Sequence, residues 1–592
     1  MEPKNFSSST ATSATARPET SNAHWCDLLV IGSGAAGLSS AVTAAHRGLQ
    51  VVVAEKEPLY GGTTARSGGW LWVPGNPLAK EAGLPDTRAD ALAYMRHEAG
   101  EFFHEELAAA FLDNGPKAIE FFRKNTAVQF EMPVRIPDYH AEAPGGSLGA
   151  RSIVAAPFDG RLLGDQVEYL APPLHELTVF GVMVASGADY THFLHATQSL
   201  RSAWYVTRRL SIHFLQKLRY GRGMKLVNGN ALVGRLAKSA FDLGVDLWLQ
   251  SPAQRLIVED GRVVGAIIRR AGSDVRVMAR HGVVLACGGY PHDIERRGLT
   301  FPGSGAGERH YSPAPAGNTG DGIRMGEGVG GYTPKLAEPA AWLPVSITTR
   351  KDGSKGVNPH IFDKSKPGVI AVSLTGLRFA NEGNSYHDFV RAMRAQSAPE
   401  AEVAAWLICD HKALRKYGLG YVKPFPFPIG RHLASGYLIR ANSVSELAKK
   451  LSVKTGILVS TVERYNQLAT TGVDDDYGKG DLIYNRYLGD PWNKPNPNMS
   501  PLETGPYYAV KLLVGDLGTF AGLATDGSLR VVDQSGHRIS GLYAVGNDIS
   551  SVMGGSYPGA GITLGPALTF GYLVGITVAD EAERLHTTET GT

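Results

Sequence analysis

The chain has 592 residues, 43% of them apolar and 19% charged, enough for two or three domains around a large core. A formal net charge of +3, dispersed along the chain, excludes the basic footprint of a nucleic-acid binder. Three scattered cysteines (Cys26, Cys287, Cys409) without CxxC or CxxCH exclude a cysteine-ligated cluster or a c-type haem, and no run of 18 apolar residues is present to span a membrane.

The 18 histidines form no HExxH pattern, so no metal site is expected. Residues 1–23 are rich in Ser, Thr and Ala and lack the apolar core of a signal peptide. They read as a disordered tail, and with unpaired cysteines they predict a cytoplasmic protein.

The next stretch, residues 27–56, carries the strongest signal. An apolar run, Leu28 to Ile31, reads as a buried parallel strand and meets Gly32, Gly34 and Gly37 in G-x-G-x-x-G spacing. A small-residue helix follows from Ala35 to about Arg47, then a second apolar run, Val51 to Ala54, ending in Glu55. The physics suits a dinucleotide. Gly32 permits the tight turn, Gly34 admits the pyrophosphate, and Gly37 lets helix and strand pack closely. The helix N-terminus offers N–H groups to phosphate, and Glu55 can accept from ribose hydroxyls. Gly326, Gly328 and Gly331 repeat the spacing without the flanking strands and read as a glycine-rich helix end.

A glycine loop with aromatics, Gly61 to Pro77, comes next, then a helical stretch over about 87–125. Residues 134–165 are irregular and contain Asp138-Tyr139-His140. Residues 195–220 read as a long basic amphipathic surface helix. A helix over 230–242 follows, then strands at 254–258 and 263–269 joined by an Asp260-Gly261 turn, and a strand over Gly282 to Tyr290. Asn318 to Gly322 opens another helix. From about 343 to 505 the texture changes to more proline and scattered aromatics, the mark of an inserted domain. Short strands and a closing helix from near Ile562 to about Arg584 complete the chain. The expected fold is α/β: a discontinuous dinucleotide-binding domain (24–342 and 506–585) around an inserted α+β domain (343–505), with a tail at 586–592.

The opening motif together with GGTTARSGGWLWVPGNP, LACGGY, NTGDG, GLRFANEGNSYHDF and GLYAVGND…YPGAGITLGPALTFGY resembles the FAD-dependent fumarate reductase / 3-ketosteroid dehydrogenase superfamily, most of all the 3-ketosteroid Δ1-dehydrogenases. The resemblance spans nearly all of the chain beyond residue 25. It implies noncovalent FAD. The ADP end would rest on Gly32, Gly34, Ala36, Gly37, Glu55 and Lys56. Gly62, Thr63, Thr64, Ser67, Gly68 and Gly69 would cover the pyrophosphate and flavin, with Asn547, Ile562 and Leu564 by the isoalloxazine. A helix N-terminus there would stabilise negative charge on the reduced ring.

The same resemblance implies tyrosine chemistry. Tyr386 would remove the proton next to a ketone, Tyr139 would assist, and the Tyr557 hydroxyl with the Gly561 N–H would polarise the ketone while hydride leaves for flavin N5. Ordinary tyrosine, with a pKa of about 10, needs neighbours that favour the phenolate. The expected activity is desaturation of a cyclic ketone, as in 3-oxosteroid 1-dehydrogenases, with a diffusible electron acceptor such as a quinone. Alternatives are a desaturase of a small keto acid such as 4-oxocyclohexanecarboxylate, an enoate reductase of the fumarate-reductase type, and a non-catalytic flavoprotein. Leu517 to Gly522 stand where the fumarate branch carries its two histidines, and Tyr386 stands where that branch has arginine. Both changes remove positive charge and favour a neutral or ketonic substrate. An acidic substrate would need a cation, with Arg431, His432 and Arg440 as candidates.

Overall fold

The computed structural model describes residues 23–590 except 198, 351, 399, 400 and 504, without the side chains of 588–590. The expected tail at 1–23 lies, but for residue 23, outside the described residues.

Strand β1 (His24–Ile31), helix α1 (Ala35–His46) and strand β2 (Val51–Ala54) form the predicted unit, and β1 and β2 pair in parallel from Leu28↔Val51 to Ile31↔Ala54. Leu28, Leu29, Val30 and Val53 have no exposed surface, as strands covered on both faces require. The sheet continues with β3 (Asp246–Trp248), β4 (Ala253–Glu259), β5 (Arg262–Arg270) and β6 (Ser273–Leu285). Its order is β3-β2-β1-β6-β5-β4. Asp260 and Gly261 join β4 to β5 with φ of 49° and 74°, the left-handed pair that a tight hairpin demands.

The strand expected over 282–290 begins nine residues earlier and ends at Leu285. Its first half pairs with β5 at a partly exposed position, so charged residues alternate there and hide the strand from an apolar-run reading. The helical stretch at 87–125 is two helices, Arg88–Ala99 and Glu105–Asn125, broken at Gly100, whose φ is 54°. The irregular 134–165 segment contains a strand, Ser152–Ala155, paired with Trp70–Trp72. Before the long surface helix α3 (Leu200–Tyr220) stands a short α2 (Ala188–Leu194).

A second sheet holds β7 (Ala340–Thr349), β8 (Lys355–Pro359), β9 (Val369–Ser373), β10 (Ala404–Cys409), β11 (Ile439–Ala441) and β12 (Tyr507–Thr519), in order β8-β7-β12-β10-β9 with β11 on β12. Here the expected boundary at 505 needs correction. Strand β12 lies in the centre of this sheet, pairing with β7 and β10, so the inserted unit extends to about Thr519. Strand β13 (Arg538–Ala544) then returns to the first sheet beside β6, parallel from Val283↔Leu542 to Leu285↔Ala544. The last helix, Leu564–Thr590, starts two residues after Ile562 and runs through most of the expected tail at 586–592. It lies directly on α1: a Cβ on Gly571 would strike Ser39 and the Ala36 carbonyl, and one on Gly575 would strike Thr43. The architecture is a discontinuous α/β dinucleotide-binding domain with an inserted mixed unit.

Candidate active site

A cavity of about 900 Å³ runs from the N-terminus of α1 to the inserted sheet. The predicted glycines perform distinct tasks along it. A Cβ on Gly32 would run into the Ala286 carbonyl, and one on Gly37 into the carbonyl of Gly32. Gly34 instead faces open space, with Thr64 Oγ1 the nearest atom at 3.7 Å. It is also the N-cap of α1 and supplies no side-chain cap, so the first turn keeps N–H groups for a ligand. Only Ala35 N–H is spoken for among these, by Thr64 Oγ1 at 3.1 Å.

Glu55 closes β2 at the cavity wall, where its carboxylate accepts from Ser33 N–H at 3.0 Å, Ser33 Oγ at 2.5 Å and Glu57 N–H at 2.9 Å. Burial raises its pKa, and these donors pull it back. Lys56 reaches Thr319 Oγ1 at 2.9 Å and Asp321 at 2.5 Å. Ala36, Gly62, Thr63, Thr64, Ser67, Gly68, Gly69, Asn547 and Leu564 also line the cavity, as do Tyr139, Tyr386, Tyr557 and Gly561. Gly37 and Ile562 do not: the first serves packing, and the second is a buried apolar residue.

Three consecutive residues build the tyrosine end. Asp138 is buried, held by Arg151 at 2.7 Å and by Trp72 Nε1 at 2.7 Å. Burial still lifts its pKa to about 6 against the Arg151 charge. Tyr139 is fixed by its N–H to the Pro558 carbonyl, 2.9 Å, which ties it to the Tyr557 loop. His140 bridges Glu98 at 2.8 Å and Asp388 at 2.9 Å. Burial would lower the His140 pKa, but the two carboxylates outweigh it and hold it up at about 10.

Asp388 belongs to helix α4 (Tyr386–Ala395), whose first residue is Tyr386 and whose N-cap, Ser385, accepts from Asp388 N–H. The loop before it is pinned by the fully buried Glu382, which takes Arg378 at 2.9 Å and Ala371 N–H at 3.0 Å. The Tyr386 and Tyr139 hydroxyl oxygens are 3.1 Å apart, and Tyr557 packs edge-on to Tyr386 with centroids 4.9 Å apart. Burial raises Tyr386 and Tyr139 well above the usual tyrosine value. Gly561, at φ 99°, sits against the Trp70 backbone, and among the described residues nothing accepts its N–H.

Sequence reasoning missed Tyr484, on helix α5 (Ile483–Leu488), whose ring lies 4.3 Å from that of Tyr139. No motif surrounds it. It also missed Thr563, which lines the cavity beside Tyr557, and two lysines described below. Arg431, His432 and Arg440 do not line the cavity; Arg431 donates to the Thr349 carbonyl at 3.4 Å.

The FAD binding domain family matches residues 27–564. The chain belongs to this FAD-binding family. It is 43% identical to the 4-oxocyclohex-2-ene-1-carboxylate 5-dehydrogenase of Sinomonas cyclohexanicum, over 94% of both chains. It is 37% identical to the 3-oxosteroid 1-dehydrogenase of Mycobacterium tuberculosis (strain ATCC 25618 / H37Rv), over 94% of this chain and 98% of that one. Among solved structures, the 3-ketosteroid delta1-dehydrogenase from Sterolibacterium denitrificans in complex with 1,4-androstadiene-3,17-dione superposes with a TM-score of 0.87 at 34% identity, covering 94% of this chain and all of that one.

The cofactor is therefore FAD, and the residues present fit it. Its pyrophosphate suits the open face at Gly34 under the α1 N-terminus, and a ribose suits Glu55. The sequence segments LACGGY and NTGDG find their place here too: Ala286, Gly288, Asn318 and Asp321 line the same cavity. Gly326 and Gly328 end a short helix, and Gly331 packs on Val531, away from the cavity.

Proposed function

We propose that this protein desaturates a cyclic ketone at its α,β carbons. The observation that carries this reading is the convergence of Tyr139, Tyr386 and Tyr557 with the free Gly561 N–H at one end of the cavity. Bound FAD supplies the hydride acceptor. The Tyr557 hydroxyl and Gly561 N–H give two donors for one carbonyl oxygen, where negative charge grows as the α-proton leaves.

Tyr386 is the proton acceptor. Its burial opposes a standing phenolate, and no lysine or arginine among the described residues hydrogen-bonds to it. A neutral tyrosine accepts a proton only if its own moves on. Tyr139, at 3.1 Å, takes that proton as it hands its own to the Tyr484 hydroxyl, which hydrogen-bonds to it, and Tyr484 in turn releases a proton to solvent. The positive end of helix α4 lies at Tyr386 and favours transient negative charge there.

An enoate reductase is disfavoured because Leu517 and Gly518 stand in place of the two histidines of the fumarate branch, and Phe520 beside them packs on Tyr557 with centroids 6.0 Å apart. The electron acceptor is a diffusible carrier such as a quinone, and the working compartment is the cytoplasm. Three free cysteines and the lack, among the described residues, of any helix long and apolar enough to cross a membrane support that setting. Anaerobic mixing with saturated and 4-ene cyclic ketones tests the reading: flavin absorbance must bleach. Bleaching by no ketone, with rapid reoxidation of reduced enzyme by enoic acids, would replace it with the reductase.

A further inference from the structure

The cavity has a second polar region, on the inserted unit. Lys366 and Lys423 both line it and are half-buried. Lys366 Nζ donates to the Leu488 carbonyl at 2.6 Å and the Gly489 carbonyl at 2.9 Å. These carbonyls end helix α5, one turn beyond Tyr484, so about 6 Å of helix separates them from the tyrosine cluster. Lys423 Nζ donates to the Glu176 backbone carbonyl at 3.4 Å and lies over the Tyr421 ring, 5.7 Å from its centroid.

Neither ammonium has a carboxylate partner among the described residues, because each nearby carboxylate is already held. Glu176 is paired with Arg350 at 2.8 Å. Asp363 is held by His360 at 2.7 Å and by Gly420 N–H at 2.8 Å. Asp490 is taken by Lys416 at 2.6 Å and Tyr417 at 2.6 Å. Burial lowers both lysines, Lys366 to about 8, which marks charge that the protein leaves under-compensated. A half-buried ammonium without a counter-charge is costly, and an anion entering the cavity removes that cost.

We propose that Lys366 and Lys423 bind a carboxylate of the substrate, so that the ketone is an anionic one: a ring ketone bearing a carboxyl group. This rests on the desaturase reading above and assigns its substrate class. The flavin's own phosphates would find their donors elsewhere, at the α1 N-terminus. Two sources share the chemistry, a single ring with a carboxyl substituent and a polycyclic ketone with an acidic side chain.

The test is anaerobic flavin reduction with matched pairs: 4-oxocyclohex-2-ene-1-carboxylate and its methyl ester, and a 3-oxo-4-ene steroid with a carboxyl side chain and its methyl ester. In wild type at least one acid should half-saturate about tenfold or more below its ester, the scale of one charged hydrogen bond. The preferred pair identifies the source. Lys366→Met and Lys423→Met should each erode the acid preference, Lys366→Arg should keep most of it, and Arg431→Met should leave it intact. Flavin content of each purified variant reports folding. Equal half-saturation by acid and ester in wild type, or lysine variants that weaken acid and ester alike, overturns the proposal. If no ketone reduces the flavin, yet the acids perturb the oxidised flavin spectrum in a Lys366-dependent way, the carboxylate site stands and the desaturase reading falls. Absence of both signals overturns both.

Discussion

The hydroxyl oxygens of Tyr139 and Tyr386 lie 3.1 Å apart although the residues are 247 positions apart in the chain. The neighbours of each tyrosine enforce the meeting: His140, next to Tyr139, grips Asp388, two residues past Tyr386. In the proposed reaction, a proton leaving Tyr386 would thus have a fixed receiver.

Tyr386→Phe should retain FAD and lose about 10²–10⁴-fold in the rate of flavin reduction by the best ketone, the range of general base catalysis. Stopped-flow absorbance measures it. A rate within about threefold of wild type would remove Tyr386 from the chemistry.

Tyr557→Phe should cost about 10²–10³-fold in the same step, since one of two donors to the developing oxyanion is lost in a buried site. Added FAD should not rescue it. Wild-type reduction rates would make Tyr557 an aromatic plug packed between Tyr386 and Phe520.

Glu55→Ala should weaken FAD retention, both by removing a ribose acceptor and by freeing Ser33 Oγ and N–H at the mouth of α1. Titration of apoprotein with FAD reads this directly, and unchanged affinity would contradict it. The loop from Gly61 to Gly69 contains no histidine for a covalent link, so denatured wild type should release its yellow flavin into the supernatant. Colour held in the precipitate would show a covalent bond.

The His140 clamp predicts a pH dependence of stability. Its pKa is about 10 in the folded chain, against about 6.5 unfolded. A raised pKa means that the folded state holds the proton more tightly. The stabilisation is complete below pH 6.5 and fades as pH rises through about 10. Wild-type Tm should decline across that window. His140→Gln should melt lower at pH 7 and show a flatter decline, and parallel profiles would count against the clamp.

Much of this was legible in the sequence. Strand β2 was expected at Val51–Ala54 and stands there, because a strand buried on both faces writes itself as an unbroken apolar run. The Asp260-Gly261 hairpin was legible for a local reason, since few residues tolerate two left-handed positions in succession. The end of the inserted unit was not. Tyr507–Thr519 is a strand by any local reading, and only its pairing with β7 and β10 assigns it to the second sheet. Tyr484, Lys366 and Lys423 were invisible for a similar reason. Each stands in unremarkable local sequence and acquires meaning from what the folded chain brings beside it. Arg431 and His432 were conspicuous in sequence because they follow a proline run, yet they lie off the cavity.

Because Asn547 and Leu564 share one cavity with Gly34 and Glu55, and the helix that begins at Leu564 lies on α1, the order of synthesis matters. A nascent chain emerging from the ribosome can form the β1–α1–β2 unit early, but it must carry that unit through some five hundred further residues before the other half of the flavin site exists. Cofactor capture is thereby a checkpoint on the finished polypeptide. A chain stopped short of Gly546 would keep the nucleotide fingerprint and the Gly61–Gly69 loop but lack Asn547 and Leu564 at the other end of the cavity.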